Sequence, residues 1–462
     1  MRSSALLLGV VFLSGCGGSK SSEPVDLSID NPKNAATAAD TQLPASTIET
    51  PENARKLLVH AARLAKQGLV GKAVEQLSHA ISMNAEDPEL YIARAEVYGM
   101  MREDANALAD YSTAIRVRPE DSSIYNRRGF FLLSRSEHTR ALKDFGAAIQ
   151  LNPQSPQAHN NRGLVYLSIS QPEKAIADFG KAAKLDPKYA DAWNNRGFAH
   201  YKIRKFPEAL KDLNQAIKAK PGYVNALNNR ALVYLAMKNH NSAVTDLTTA
   251  IESAPYEIKL YQARRTAYLE LQQFEKAQKD GSRVEWLVGL AALTKEIDRE
   301  PLVYQHYIRR GDYLRQGDEH VAAIRDYSTA MQVNKTTTEP IVKRASALLA
   351  LGKSEDAIRD CTTAIKLSEQ LSGTKDKKAI DDFDTNVQRR DPKQAYSVRG
   401  DAWMSRGEYD RAVADFERAE RFDTAVADAY LHQARAFDKA GNRQKASAAR
   451  KQAAAIDPAR RL

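Results

Sequence analysis

Small and apolar residues recur along most of this chain with a period of 34. In residues 156–189, counted as positions 1 to 34, His159, Gly163 and Tyr166 stand at positions 4, 8 and 11. That i, i+4, i+7 spacing places them on one face of a helix. Ala175, Phe179 and Ala182, at positions 20, 24 and 27, line one face of a second helix. Gln171-Pro172 interrupts the chain between the two runs, and Pro187 closes the second. Each unit therefore predicts a helical hairpin that turns near position 15. The pattern repeats in 122–155, 190–223 and 224–257, in 88–121 and, loosely, in 54–87. Further units begin at Ile258, Tyr304, Thr338, Lys393 and Ala427. One hairpin cannot bury its apolar faces alone, so neighbours must stack.

The recurring positions resemble the tetratricopeptide repeat family, whose pattern is aromatic-4, Leu-7, Gly/Ala-8, Tyr-11, Ala-20, Phe/Tyr-24, Ala-27, Pro-32. Position 20 is Ala in all eleven units, from Ala73 to Ala446, and position 27 departs only at Val284. The resemblance spans roughly residues 54–460 and implies an all-α fold. The expected form is a right-handed superhelical solenoid of about eleven hairpins in two arrays. The first array covers 54–291, its seventh unit decayed by Gly281 at position 24 and Gly289 at position 32. Residues 292–303 read as a joint. Two units follow in 304–371, then a charged insertion at 372–392. Two more fill 393–462, with Arg450 at an aromatic slot as in a water-facing terminal cap. An insertion of that length is either functional or disordered.

Position 7 departs from the family and is Arg in nine units: Arg94, Arg128, Arg162, Arg196, Arg230, Arg264, Arg310, Arg344 and Arg399. Position 23 is Asp in the same nine: Asp110, Asp144, Asp178, Asp212, Asp246, Asp280, Asp326, Asp360 and Asp415. In a hairpin turning near position 15 the two lie at one height, which predicts an Arg–Asp bridge inside each unit. Pairing between units would set Arg94 against Gln76 and Asp415 against Gln433. The alternative is a row of ligand-binding arginines.

In the family the first helix of each unit lines the concave groove through positions 2, 5, 9 and 12. Position 5 here is Asn126, Asn160, Asn194 and Asn228, and position 6 adds Asn161, Asn195 and Asn229. Positions 9 and 12 are apolar beside them, including Phe130, Phe198 and Tyr201. An amide both donates and accepts, so such a row suits the backbone of an extended partner segment. It is similar to the asparagine ladder of O-linked N-acetylglucosamine transferases, although no transferase domain is present. The other reading is that these amides merely solvate the helix or contact neighbouring repeats. Position 5 in the second array is Ile308, Val342 and Ser397, so any groove function belongs to the first.

The chain begins with Arg2 and the apolar run Ala5–Leu13, too short to span a bilayer and read as a secretory signal over residues 1–15. Leu13-Ser14-Gly15-Cys16 resembles a bacterial lipobox, which implies acylation of Cys16 with diacylglycerol and an N-acyl chain such as palmitate. Gly17 in place of Asp resembles an outer-membrane sorting signal. Residues 16–53 read as a lipid-anchored, disordered tether.

The formal charge is +10, but Lys and Arg alternate with Asp and Glu along the chain, so no nucleic-acid partner is expected. Cys361 falls at a core slot, a buried free thiol. Phosphate loops, HExxH, CxxC and nucleophile elbows are missing, and no cofactor or metal is expected. The expectation is a non-enzymatic envelope lipoprotein on the outer membrane, facing the periplasm, that holds protein or peptide partners. The alternative is an accessory subunit of an envelope enzyme such as a glycosyltransferase or hydrolase.

Overall fold

The computed structural model describes residues 51–373 and 392–460. Cys16, the signal segment, nearly all of the 16–53 tether and the body of the 372–392 insertion lie outside the described residues. Within them are 22 α-helices and no strand. The chain divides into two compact blocks, Met1–Gly281 and Ser282–Leu462.

The first block stacks hairpins in chain order. Units 1 to 3 are α1 (Pro51–Lys66) with α2 (Val70–Met83), α3 (Pro88–Met101) with α4 (Asp104–Val117), and α5 (Ser122–Ser134) with α6 (His138–Leu151). Units 4 to 6 are α7 (Pro156–Ser168) with α8 (Pro172–Leu185), α9 (Ala190–Lys202) with α10 (Phe206–Ala219), and α11 (Val224–Ala236) with α12 (His240–Ser253). Unit 7 pairs α13 (Ile258–Glu270) with α14 (Phe274–Arg299). Helix α14 runs through most of the expected 292–303 joint, leaving only Glu300 to Val303 outside a helix. The second block holds α15 (Tyr304–Gln316) with α16 (His320–Val333), and α17 (Glu339–Ala350) with α18 (Ser354–Gly373). It ends with α19 (Lys393–Ser405) and α20 (Tyr409–Arg418), then α21 (Thr424–Lys439) and α22 (Arg443–Ile456).

Every hairpin turns in the same way. Position 15 has a positive φ in all eleven units, as in Gly68 (77°), Arg102 (63°), Lys238 (61°) and Gly352 (73°). The next N–H then reaches back to the carbonyl of position 11, as from Glu103 to Tyr98 and from Asn239 to Tyr234. This is the Schellman closure of a helix C-terminus. First helices start on side-chain caps where the sequence offers them: Asp87 and Ser155 accept backbone N–H groups just ahead of Pro88 and Pro156.

The core of each hairpin is a size match between positions 8 and 24. Phe145, Phe179 and Phe416 are fully buried against Gly129, Gly163 and Gly400. A Cβ at Gly163 would lie 2.7 Å from the Phe179 ring, so only glycine fits under that ring. The seventh unit inverts the match. Gly281 stands at position 24, and Arg265 at position 8 extends over it, with Nε 3.4 Å from where a Cβ would be. What the sequence presents as decay is an exchange of large and small partners. In the second block, Trp286 of α14 stacks on Tyr313 of α15 at 5.7 Å, and Gly289 and Gly317 leave room for these rings.

In the first block the first helices α5, α7, α9, α11 and α13 touch in succession, whereas no two successive second helices pack to that extent. A stack whose first helices are closer together than its second helices curves with the first helices inside. The inner face of units 3 to 7 is therefore the first-helix row.

Candidate interaction face

All nine Arg–Asp pairs form inside their own unit. In each, Nε and Nη2 of the arginine donate to the two carboxylate oxygens of the aspartate at 2.6–2.9 Å. This parallel two-bond geometry is the strongest form of the pair. Eight of the nine aspartates are buried residues, and the arginines keep only part of their surface in water. Hydrogen bonding to Asp178, against the opposing effect of burial, holds the Arg162 guanidinium above its ordinary pKa. His159 packs beside this pair with Nδ1 3.5 Å from Asp178, and its Nε2 lies 3.2 Å from the Pro153 carbonyl.

The remaining nitrogen, Nη1, leaves the unit. It donates to Ser78 from Arg94, Ser112 from Arg128, Asn214 from Arg230 and Thr248 from Arg264, all position 25 of the preceding unit. Arg344 and Arg399 do the same with Ser328 and Thr362, and Arg310 donates to Thr294 on the extended helix α14. One side chain thus ties the two helices of its hairpin and the hairpin before it. Arg162 and Arg196 make no such bond, and position 25 before them is Gly146 and Gly180. A Cβ at Gly146 would meet nothing within 4 Å. Gly146→Ser is expected to stabilise the chain by about 1–2 kcal/mol, by raising helix propensity and giving Arg162 its third acceptor. Urea unfolding of Gly146→Ser beside Gly146→Ala separates the two contributions.

The seven asparagines take a different place from the one expected of a partner-facing row. Asn161 donates to Asn126, Asn195 to Asn160 and Asn229 to Asn194, each from position 6 of one unit to position 5 of the unit before. Asn160 donates to Asn161 and Asn194 to Asn195 within their own helices. Six amides therefore form one hydrogen-bonded chain across four first helices, with spacings of 2.9–3.4 Å. Asn160, Asn161, Asn194 and Asn229 are buried, so their amides are largely engaged inside the stack. Asn126, Asn195 and Asn228 stay half-buried, and Asn228 has no side-chain partner among the described residues.

Position 6 makes this backward contact elsewhere too. Arg127 reaches Glu96 at 3.2 Å, Arg309 reaches Glu296 at 2.9 Å, and Lys343 reaches Asp312 at 2.7 Å. In single units these residues read as solvated; their role appears only when the units are stacked.

Beside the amide chain, positions 9 and 12 form an apolar row. It runs from Phe130 and Leu133 through Leu164 and Leu167 to Phe198 and Tyr201, then to Leu232 and Leu235. All are half-buried except Leu164, which is buried. Phe198 and Tyr201 stack at 6.1 Å. In the second block the same positions carry charge: Asp312, bonded to Tyr327 and Lys343, and Asp401, bonded to Arg421.

Family models described as TPR repeat match residues 131–170 and 166–203, and models described as tetratricopeptide repeat match 190–223, 224–257 and 377–426. Residues 131–257 and 377–426 thus carry tetratricopeptide repeats. No curated protein matches the chain. Several solved structures resemble parts of it. MamA is 25% identical, with a TM-score of 0.33 over 36% of this chain and 91% of that one. PilF of Pseudomonas aeruginosa is 18% identical, with a TM-score of 0.40 over 46% of this chain and 96% of that one. YrrB, described as a TPR protein with an unusual peptide-binding site, is 23% identical, with a TM-score of 0.34 over 42% and 99%.

Within its hairpin, Cys361 fills position 24 and is fully buried, and burial pushes its thiol up to about 12. It remains a protonated, apolar filler. Among the described residues no three or more His, Cys, Asp or Glu side chains gather as metal ligands, and no helix is long and apolar enough to cross a membrane.

Proposed function

We propose that the chain is a non-catalytic scaffold of a bacterial envelope, anchored by lipid on Cys16 at the outer membrane, which holds a segment of a partner protein along the inner row of units 3 to 6. The observation that carries this reading is the unbroken apolar row at positions 9 and 12. Four successive helices present it half-buried on the inner side of the curve, with no charged side chain at those positions. An apolar strip on a concave surface suits a segment that offers its own apolar side chains in series. The half-buried amides of Asn126, Asn195 and Asn228 flank the strip and are able to pair with the segment's backbone.

A photo-crosslinking residue placed at Leu167 or Phe198 in cells, with Thr249 on the outer side as control, tests the groove. The same partner is expected from both inner positions and not from Thr249. Capture from those positions that survives Leu133→Asp with Leu232→Asp, in a chain of unchanged helicity, would remove the groove from consideration. A stoichiometric enzyme among the captured proteins would instead make this chain an accessory subunit. Mass spectrometry of the fragment containing Cys16 tests the anchor.

A further inference from the structure

The positive charge is concentrated in one part of the first block. Residues 122–223 hold seventeen Lys and Arg against eight Asp and Glu, a balance of +9 out of the chain's +10. Three of those eight acids, Asp144, Asp178 and Asp212, are buried and already bonded to Arg128, Arg162 and Arg196. Much of the uncompensated charge is lysine on second helices. Lys181 and Lys184 leave α8, Lys211 and Lys218 leave α10, and Lys188 and Lys220 follow those helices. All six are exposed, and none forms an ion pair among the described residues. Lys220 alone has an aromatic contact, 4.7 Å from the Tyr223 ring centroid. The acids of these helices do not offset the cluster. Glu173 and Glu208 lie in the first turns, at the opposite ends from Lys184 and Lys218. Asp186 is half-buried and accepts the backbone N–H of Lys188. Because the first helices are inside the curve, this face points outward.

We propose that the outer face of units 4 and 5 binds an anionic lipid surface. Three classes of partner carry negative charge, and the side chains separate them. Protein interfaces are depleted in lysine, whose ammonium is strongly hydrated and whose stem loses much entropy when fixed. Nucleic-acid sites use arginine forks and exposed rings on which bases stack. Here the six cations are all lysine, and the single ring contact among them, Lys220 with Tyr223, is made to a buried ring. Compact charges on flexible stems suit a lipid surface, which attracts them without demanding a fixed geometry. Such attraction acts whether or not Cys16 is acylated.

The full-length chain carrying Cys16→Ser is sedimented with vesicles of phosphatidylcholine alone or with about a third phosphatidylglycerol. The anionic vesicles are expected to carry it down, and raising salt to about 0.5 M to release it. Lys181→Gln, Lys184→Gln, Lys211→Gln and Lys218→Gln together are expected to weaken binding at least about tenfold. The same change at four exposed lysines elsewhere, Lys66, Lys72, Lys295 and Lys451, is expected to leave most of it. Circular dichroism of both variants checks that the helices persist. Equal loss in the two variants, binding to neutral vesicles that ignores the substitutions, or tighter lysine-dependent binding to duplex DNA or polyglutamate would each overturn the proposal.

Discussion

Asp246→Ala is expected to destabilise the chain by about 3 kcal/mol, far more than Thr245→Ala one residue away. Asp246 accepts two hydrogen bonds from Arg230 at 2.6 and 2.7 Å, and its side chain is only 6% exposed. Removing it strands a guanidinium that keeps a fifth of its side-chain surface in water, its hydrogen bond to Asn214 and its place over the Tyr234 ring. That residual hydration is why the figure sits at the lower end of what breaking a buried pair costs. Thr245 is exposed and bonds only to a carbonyl of its own helix. The double change Arg230→Met with Asp246→Leu is expected to recover most of the loss, because apolar side chains of similar size carry no desolvation cost. Urea unfolding followed by circular dichroism gives both numbers. If Asp246→Ala loses no more than Thr245→Ala, the pair is an ornament of the surface. If the double variant is as unstable as the single one, packing at this site matters more than charge.

The pairing illustrates what one sequence can disclose. Arg at position 7 and Asp at position 23 recur and vanish together, and a hairpin turning between them brings them to one height, so the bridge is legible inside a single unit. The third bond of the same arginine is not, since Ser78, Thr248 and Ser328 sit in the unit before and differ in type. The asparagines are harder still. Asn160 and Asn161 in an isolated helix resemble a polar face awaiting a partner, yet each amide bonds across 35 residues of chain or to its neighbour. Exposure depends on the stacking angle between hairpins, which no residue of the unit specifies alone. Arg265 and Gly281 fail the pattern one at a time and satisfy it together, as a volume exchanged across the hairpin. The apolar row at positions 9 and 12 was legible because composition alone distinguishes Phe130 and Leu164 from Asp312 and Asp401.

Six glycines introduced at position 15, replacing Arg102, Ser136, Ser170, Arg204, Lys238 and Gln272, are expected to stabilise the chain by about 3–6 kcal/mol in sum. Each of these residues is held at a φ between 58° and 63°, where a Cβ crowds the following carbonyl. Each is exposed, so little packing is lost with the side chain. Glycine removes the strain but gives the unfolded chain more freedom, which offsets part of the gain and leaves about 0.5–1 kcal/mol per site. The chain already uses this solution at Gly68, Gly352, Gly407 and Gly441, with φ of 73–77°. The hairpin closes identically in both groups, from position 16 N–H to position 11 carbonyl, as in Lys205 to His200 and Lys353 to Leu348. The backbone therefore imposes the left-handed residue, and the side chain there merely tolerates it. Gly352→Ala is expected to cost about 1 kcal/mol for the same reason. Thermal unfolding of the six-glycine chain beside Gly352→Ala reads both directions at once. No gain in the first together with no loss in the second would mean that the turns are free to adopt another closure, and that hairpin geometry is set by the stack and not by its own helix ends.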